Sequence, residues 1–116
     1  MSQTAPIIGK RRAAPKEIQK LVQIIVRRFK PEKIILFGSY AKGKSKKESD
    51  IDLFIIVDSN RPIWQISTEI SLALDHTFPL DIIIKTKDEV NKRLSLGDFF
   101  IEDVVKNGKV LYERTG

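Results

Sequence analysis

The chain has 116 residues, no cysteine and a net charge of +6, from 21 lysines and arginines against 15 aspartates and glutamates. That length supports one core and is too short for two, and the lack of cysteine excludes a disulfide scaffold or thiolate metal site and fits a reducing cytoplasm. No apolar stretch approaches the roughly 20 residues that span a bilayer, and Ile7-Ile8 ahead of Lys10-Arg11-Arg12 is the wrong order for a secretory signal.

Residues 1–14 read as a flexible basic tail and residues 15–116 as a single domain. Pro15 suits the first turn of a helix. Ile18, Leu21, Val22, Ile25 and Phe29 follow helical spacing until Pro31 ends it. Residues 33–37 are nearly all apolar, which predicts a first strand buried on both faces. Gly38 and Ser39 then open a short helix over 40–42, and a polar, lysine-rich loop follows over 43–49. Residues 50–57 read as the second strand. After Pro62, a helix is expected with Ile63, Ile66, Ile70 and Ala73 or Leu74 on its inner stripe. Pro79 leads into a third strand that begins about Asp81 and ends near Lys85. Thr86 caps a helix over 87–94, with Asp88 and Glu89 in its first turn. Gly97 breaks it, residues 98–106 form another helix, and Asn107-Gly108 turn into a last strand over 109–112. The order predicts an α/β (α+β) domain, a small mixed β-sheet with helices packed on it.

Two motifs in this frame carry chemistry. Gly38-Ser39 leaves the end of the first strand, and Asp50-Ile51-Asp52 opens the second ten residues later. Residues i and i+2 of a strand share a face, so Asp50 and Asp52 are expected to converge. Two carboxylates about 4 Å apart repel by about 4 kcal/mol at an effective dielectric near 20. A divalent ion held by carboxylates and substrate phosphates is the usual remedy. Gly38 allows close backbone approach, backbone N–H groups at such a turn bind anions, and Lys42, Lys44, Lys46 and Lys47 add cations nearby. Asp81 supplies a third acid at the start of the third strand. Together these residues describe a site for a metal-bound nucleotide.

The wording Phe37-Gly38-Ser39-Tyr40-Ala41-Lys42-Gly43, then Ser49-Asp50-Ile51-Asp52-Leu53, then Asp81, resembles the nucleotidyltransferase superfamily typified by DNA polymerase beta. It is most similar to the minimal nucleotidyltransferase branch, often the antitoxin partner of a HEPN-domain ribonuclease. The resemblance spans about residues 33–85. It implies a metal-dependent transfer of a nucleoside monophosphate, AMP from ATP, to an acceptor hydroxyl on a HEPN-type partner. Asp50, Asp52 and Asp81 would be the catalytic and metal-binding acids for Mg²⁺ or Mn²⁺; Gly38, Ser39 and Lys42 would bind the nucleotide. The branch often carries arginine where Tyr40 and Lys42 stand here, and lysine lacks arginine's planar fork for bidentate phosphate contact. With little chain after Tyr112, no helical domain is expected to close over the base, so the resemblance implies a homo- or hetero-oligomer. The alternatives are a non-catalytic, nucleotide-binding antitoxin that acts by contact, and a standalone RNA-modifying transferase.

The RNA reading rests on Lys10-Arg11-Arg12 and Arg27-Arg28-Lys30, clusters that serve an acidic protein partner equally well. Base-stacking aromatics are not obviously interleaved with these clusters. His76 reads as a surface or capping residue, and Glu48 and Asp58 as solvated strand-end charges. Trp64 reads as packing or a partner contact. Of Phe99-Phe100, only one ring can turn fully inward, leaving the other to face a partner.

Overall fold

The structure, a computed structural model, describes residues 15–41, 51–75 and 78–115. Its elements run α1 (Pro15–Phe29), β1 (Lys33–Phe37), α2 (Gly38–Ala41), β2 (Ile51–Val57), α3 (Ile63–Ala73), β3 (Leu80–Thr86), α4 (Lys87–Ser95), α5 (Phe99–Asn107) and β4 (Lys109–Glu113). The strands form one sheet in the order β3-β2-β1-β4. Strand β1 pairs antiparallel with both β2 and β4, while β2 and β3 run parallel across the α3 crossover. The sheet is therefore mixed, as the sequence predicts.

Strand β2 shows how the layers are laid down. Ile51, Leu53, Ile55 and Val57 point to one face and pack with Ile18, Leu21 and Ile25 of α1 and Ile66 and Ile70 of α3. Phe54 and Ile56 point to the other face and pack with Val90 of α4 and Ile101 and Val104 of α5. The strand is buried on both faces because a helical pair covers each. Each aliphatic side chain so buried contributes roughly 2 kcal/mol. In β1, Ile34, Ile35 and Leu36 are buried for the same reason.

The local signals act where the sequence places them. Thr86 caps α4, its hydroxyl accepting from Glu89 N–H at 3.1 Å. Asp98 caps α5, its Oδ1 accepting from Ile101 N–H at 3.1 Å. Asp98 thus precedes the helix that the sequence reading began with it: its side chain satisfies an orphan N–H better from outside the first turn. Gly97, at φ 78, terminates α4, and Asp98 N–H closes back on Arg93 O. After α1, Lys30 adopts a left-handed φ of 48 immediately before the buried Pro31. The Arg114 side chain donates to Lys30 O and, at 2.8 Å, to Glu32, tying the end of β4 to this turn. On α3, Leu74 rather than Ala73 completes the buried stripe. The basic tail over 1–14, the lysine loop over 43–49 with Glu48, and His76 lie outside the described residues.

Candidate active site

The end of the sheet where β1 finishes and β2 and β3 begin brings the sequence-predicted residues together. Phe37, the last residue of β1, stands opposite Asp52, and Asp52 stands opposite Asp81 in the parallel pair. Directly paired residues share a face, so Phe37, Asp52 and Asp81 form one row across three strands. Neighbouring strands lie about 4.8 Å apart, which sets the two acidic residues at contact distance for one bound cation. The register is fixed at this end by Ile51 N–H donating to Pro79 O at 3.0 Å, one residue before the acids. Asp52 is half-buried and Asp81 exposed.

Gly38 follows Phe37 directly. It has φ +80, and a Cβ placed on it would collide with Asp52 Oδ2. The glycine is thus required twice, once for its backbone angle and once for the carboxylate that fills the space beside it. The turn into α2 and the acid at the head of β2 fit into each other, although thirteen residues separate them in the chain. Ser39 lies in α2 next to Gly38. Asp50 and Lys42 fall outside the described residues. Among the described residues, no group of three potential metal-ligating side chains stands together; Asp52 and Asp81 make a pair.

The family model described as polymerase beta, nucleotidyltransferase matches residues 19–115. This chain belongs to that family. Two proteins of Methanocaldococcus jannaschii, both named "Putative protein adenylyltransferase", are similar over nearly their whole lengths. One is 32% identical over 99 residues, covering 84% of this chain and 96% of its own. The other is 30% identical over 93 residues, covering 80% and 90%. In structure, the chain is similar to a "putative nucleotidyltransferase" from Sulfolobus solfataricus, with a TM-score of 0.61 and 20% identity over 85% of this chain and 79% of that one. At that identity the likeness shows the fold alone. A looser likeness, at TM-score 0.46 and 22% identity over 84% and 74% of the two chains, is to a "toxin-antitoxin with AMP-PNP"; it carries no argument here.

The nucleotidyltransferase also assembles a group of rings that the sequence reading passed over. Phe37 meets Phe100 edge-on, with centroids 5.5 Å apart, and Phe54 edge-on at 6.4 Å. Phe54 and Phe100 are 6.4 Å apart. Phe54 is fully buried, whereas Phe100 remains 45% exposed and Phe99 is 85% exposed. Neither ring of the adjacent pair is fully inward, so the expected one-in, one-out split holds only in direction. Phe37 adjoins the Gly-Ser turn and could have been flagged from sequence. Phe100 could not: its approach to Phe37 bridges more than sixty residues and depends on where α5 crosses β1.

A cavity of about 290 Å³ lies toward the other end of the sheet, lined by residues that include Lys33, Ile56, Lys87 and Glu113. It contains none of the acids. Lys33 and Glu113 at its rim are 3.4 Å apart, and Arg114 and Glu32 2.8 Å apart. These charges largely satisfy each other, and the cavity lies apart from the row of Phe37, Asp52 and Asp81.

Proposed function

We propose that this nucleotidyltransferase moves AMP from ATP to a hydroxyl of a partner protein of the HEPN type, acting as its antitoxin in the cytoplasm. The observation that carries the reading is the Phe37-Asp52-Asp81 row with Gly38 fitted against the Asp52 carboxylate. A domain needing only stability has no use for two acids aligned on paired strands, since like charges directly opposite each other are destabilising. The named relatives support a protein acceptor, and the resemblance of the motifs supports a HEPN chain.

The donor set fits a divalent cation: hard carboxylate oxygens on adjacent strands, one of them seated against a glycine turn whose backbone N–H groups could meet an anion. Asp52 and Asp81, joined by Asp50, would hold Mg²⁺ or Mn²⁺, which when bound polarises phosphoryl oxygens and makes the acceptor hydroxyl more acidic. Backbone N–H groups at Gly38 and Ser39, with Lys42, would grip the outer phosphates and place the α-phosphorus over the acids. Asp81, at the more exposed end of the row, would take the acceptor's proton. The acceptor oxygen then bonds to the α-phosphorus, the bond to the β-phosphate oxygen breaks, and pyrophosphate leaves carrying the electron pair. The chain itself forms no covalent bond.

Large apolar side chains stand ready for a protein partner. Trp64 and Leu72 of α3 are 72% and 82% exposed, and on the other side of the sheet Leu96 and Phe99 are 69% and 85% exposed. No helix among the described residues is long and apolar enough to cross a membrane.

The test is incubation with α-labelled ATP, Mg²⁺ and a co-expressed HEPN-type protein. Label on that protein, lost with Asp52→Asn and with Asp81→Asn, is the expected result. Asp81→Asn should retain more triphosphate binding than Asp52→Asn. Label appearing instead on free RNA, or transfer that survives both substitutions, would overturn the reading.

A further inference from the structure

The ring group beside the acids has a position that packing alone does not require. Three rows of side chains cross the α4–α5 face of the sheet. The outermost contains Phe37, Asp52 and Asp81; the next contains Ile35, Phe54 and Ile83. Phe100 reaches both rows, touching Phe54 below and Phe37 above. Phe54 is fully buried beneath it, yet nearly half of the Phe100 ring remains open to solvent. The result is an aromatic wall at the β1 end of the row, next to the acids.

Its lateral placement selects the ligand. Phe37 immediately precedes Gly38, at the turn assigned to the phosphates, whereas Asp81 and the acceptor lie two strands away on β3. Two strand spacings are about 10 Å. With the α-phosphorus over Asp52, the ribose and base hang about one strand spacing from the wall at Phe37, whereas an acceptor opposite the leaving pyrophosphate lies toward Asp81, away from it. A flat aromatic ring that is held edge-on by Phe37 and at a tilt by Phe54 is stiff and already desolvated on one side. It offers its remaining surface at small entropic cost.

We propose that Phe100, backed by Phe37 and Phe54, is the base-stacking residue of this site. It is a specificity-determining side chain that receives the nucleobase of the bound triphosphate, with purines favoured over pyrimidines because they present the larger π-surface. The inference rests on the nucleotidyltransferase reading above. It gives this domain a base contact of its own.

The experiment compares two probes on the full chain by calorimetric titration with Mg²⁺, ATP and inorganic tripolyphosphate. Stacking of one base on an aromatic ring typically accounts for about a fivefold to hundredfold change in affinity. Phe100→Ala should weaken ATP by that factor while leaving tripolyphosphate within about twofold, and Phe100→Trp should keep or tighten ATP. Phe100→Leu preserves apolar cover over Phe54 and removes the π-face; it should lose ATP affinity at an unchanged unfolding midpoint. UTP, titrated in the same way, should lose less than ATP in Phe100→Ala and Phe100→Leu. If ATP affinity survives in Phe100→Leu, or if both probes weaken together, the ring is only packing and the proposal fails. If the unaltered protein binds neither probe, the nucleotidyltransferase reading itself falls, and this inference with it.

Discussion

The two faces of β2 are built from alternate residues of one seven-residue strand, yet they end differently. On the α1–α3 side the apolar cover continues to the last position, where Ile51 is fully buried. On the α4–α5 side, Ile56 and Phe54 are buried, but the next residue in the row is Asp52, which reaches solvent. The covering helices account for the contrast. Helix α1 has 15 residues and α3 has 11, whereas α4 and α5 have 9 each. At 1.5 Å per residue the longest layer element spans about 22 Å and the short pair only about 13 Å. The second layer reaches the last row at Phe37, through Phe100, and leaves Asp52 half-buried and Asp81 exposed. A sheet covered fully on both faces could not display carboxylates to a substrate, and one covered on a single face could not be held rigid by two cores. The site occupies the strip that the shorter layer leaves bare.

That contrast can be tested by substituting neighbours that point opposite ways. The largest effect is expected at Asp52. Removing a carboxylate that would hold the divalent cation, whose charge offsets that developing on the phosphoryl oxygens, should cost about 4 kcal/mol, or roughly a thousandfold in transfer rate. The thermal midpoint of Asp52→Asn should stay the same or rise slightly, because one like charge has been removed. Labelled-ATP transfer and a melting curve give both readouts, and a large fall in midpoint would show that Asp52 belongs to the core and not to the open strip.

Leu53, one residue on and completely buried on the closed face, should behave in the opposite way. Leu53→Ala should lose about 3 kcal/mol of stability by urea unfolding. Activity per folded molecule should be retained at low temperature. If Leu53→Ala abolished transfer while remaining stable, the division between the two faces would be wrong.

Gly38 lies where the two behaviours meet. Gly38→Ala must place an L-residue at φ +80 and press its Cβ on the Asp52 carboxylate. A loss of about 2 kcal/mol in stability is expected from the backbone alone, together with reduced transfer as Asp52 is displaced. Equal stability and activity in this variant would mean that the turn adjusts freely and does not position the acid.

The smallest effect on folding is expected at Phe99. At 85% exposure, Phe99→Ser should change stability by no more than about 0.5 kcal/mol. Its consequence should appear in co-purification with a partner chain, which should weaken. Retained co-purification would remove the α5 surface from the partner interface, and the same result with Trp64→Ser would remove the α3 surface.

Much of this molecule could be read before its structure. Periodicity and punctuation located the elements to within a residue or two. The caps at Thr86 and Asp98, the turns at Gly38 and Gly97, and the prolines before β1 and β3 act locally and need no knowledge of the rest of the chain. Alternation placed Asp52 on a definite face of its strand, because the side-chain period of a strand is fixed by covalent geometry. The chemical types, a Gly-Ser turn and acids at two strand starts, were equally legible, since they depend on sequence spacing alone.

Three things depended on the tertiary structure. Alignment of Asp52 with Asp81 depends on a parallel register set by packing across α3, and a slip of one residue would have sent Asp81 to the opposite face. The fit of Gly38 against Asp52 requires β1 and β2 to pair antiparallel, which brings the end of one strand beside the start of the next. The Phe37, Phe54 and Phe100 group requires α5 to cross β1 near its end. The sequence by itself determined which residues could carry chemistry and how each strand and helix is punctuated, because those are local properties. Only the tertiary structure decided which of them meet, because register, strand order and the reach of each helical layer are settled by burying two apolar faces at once.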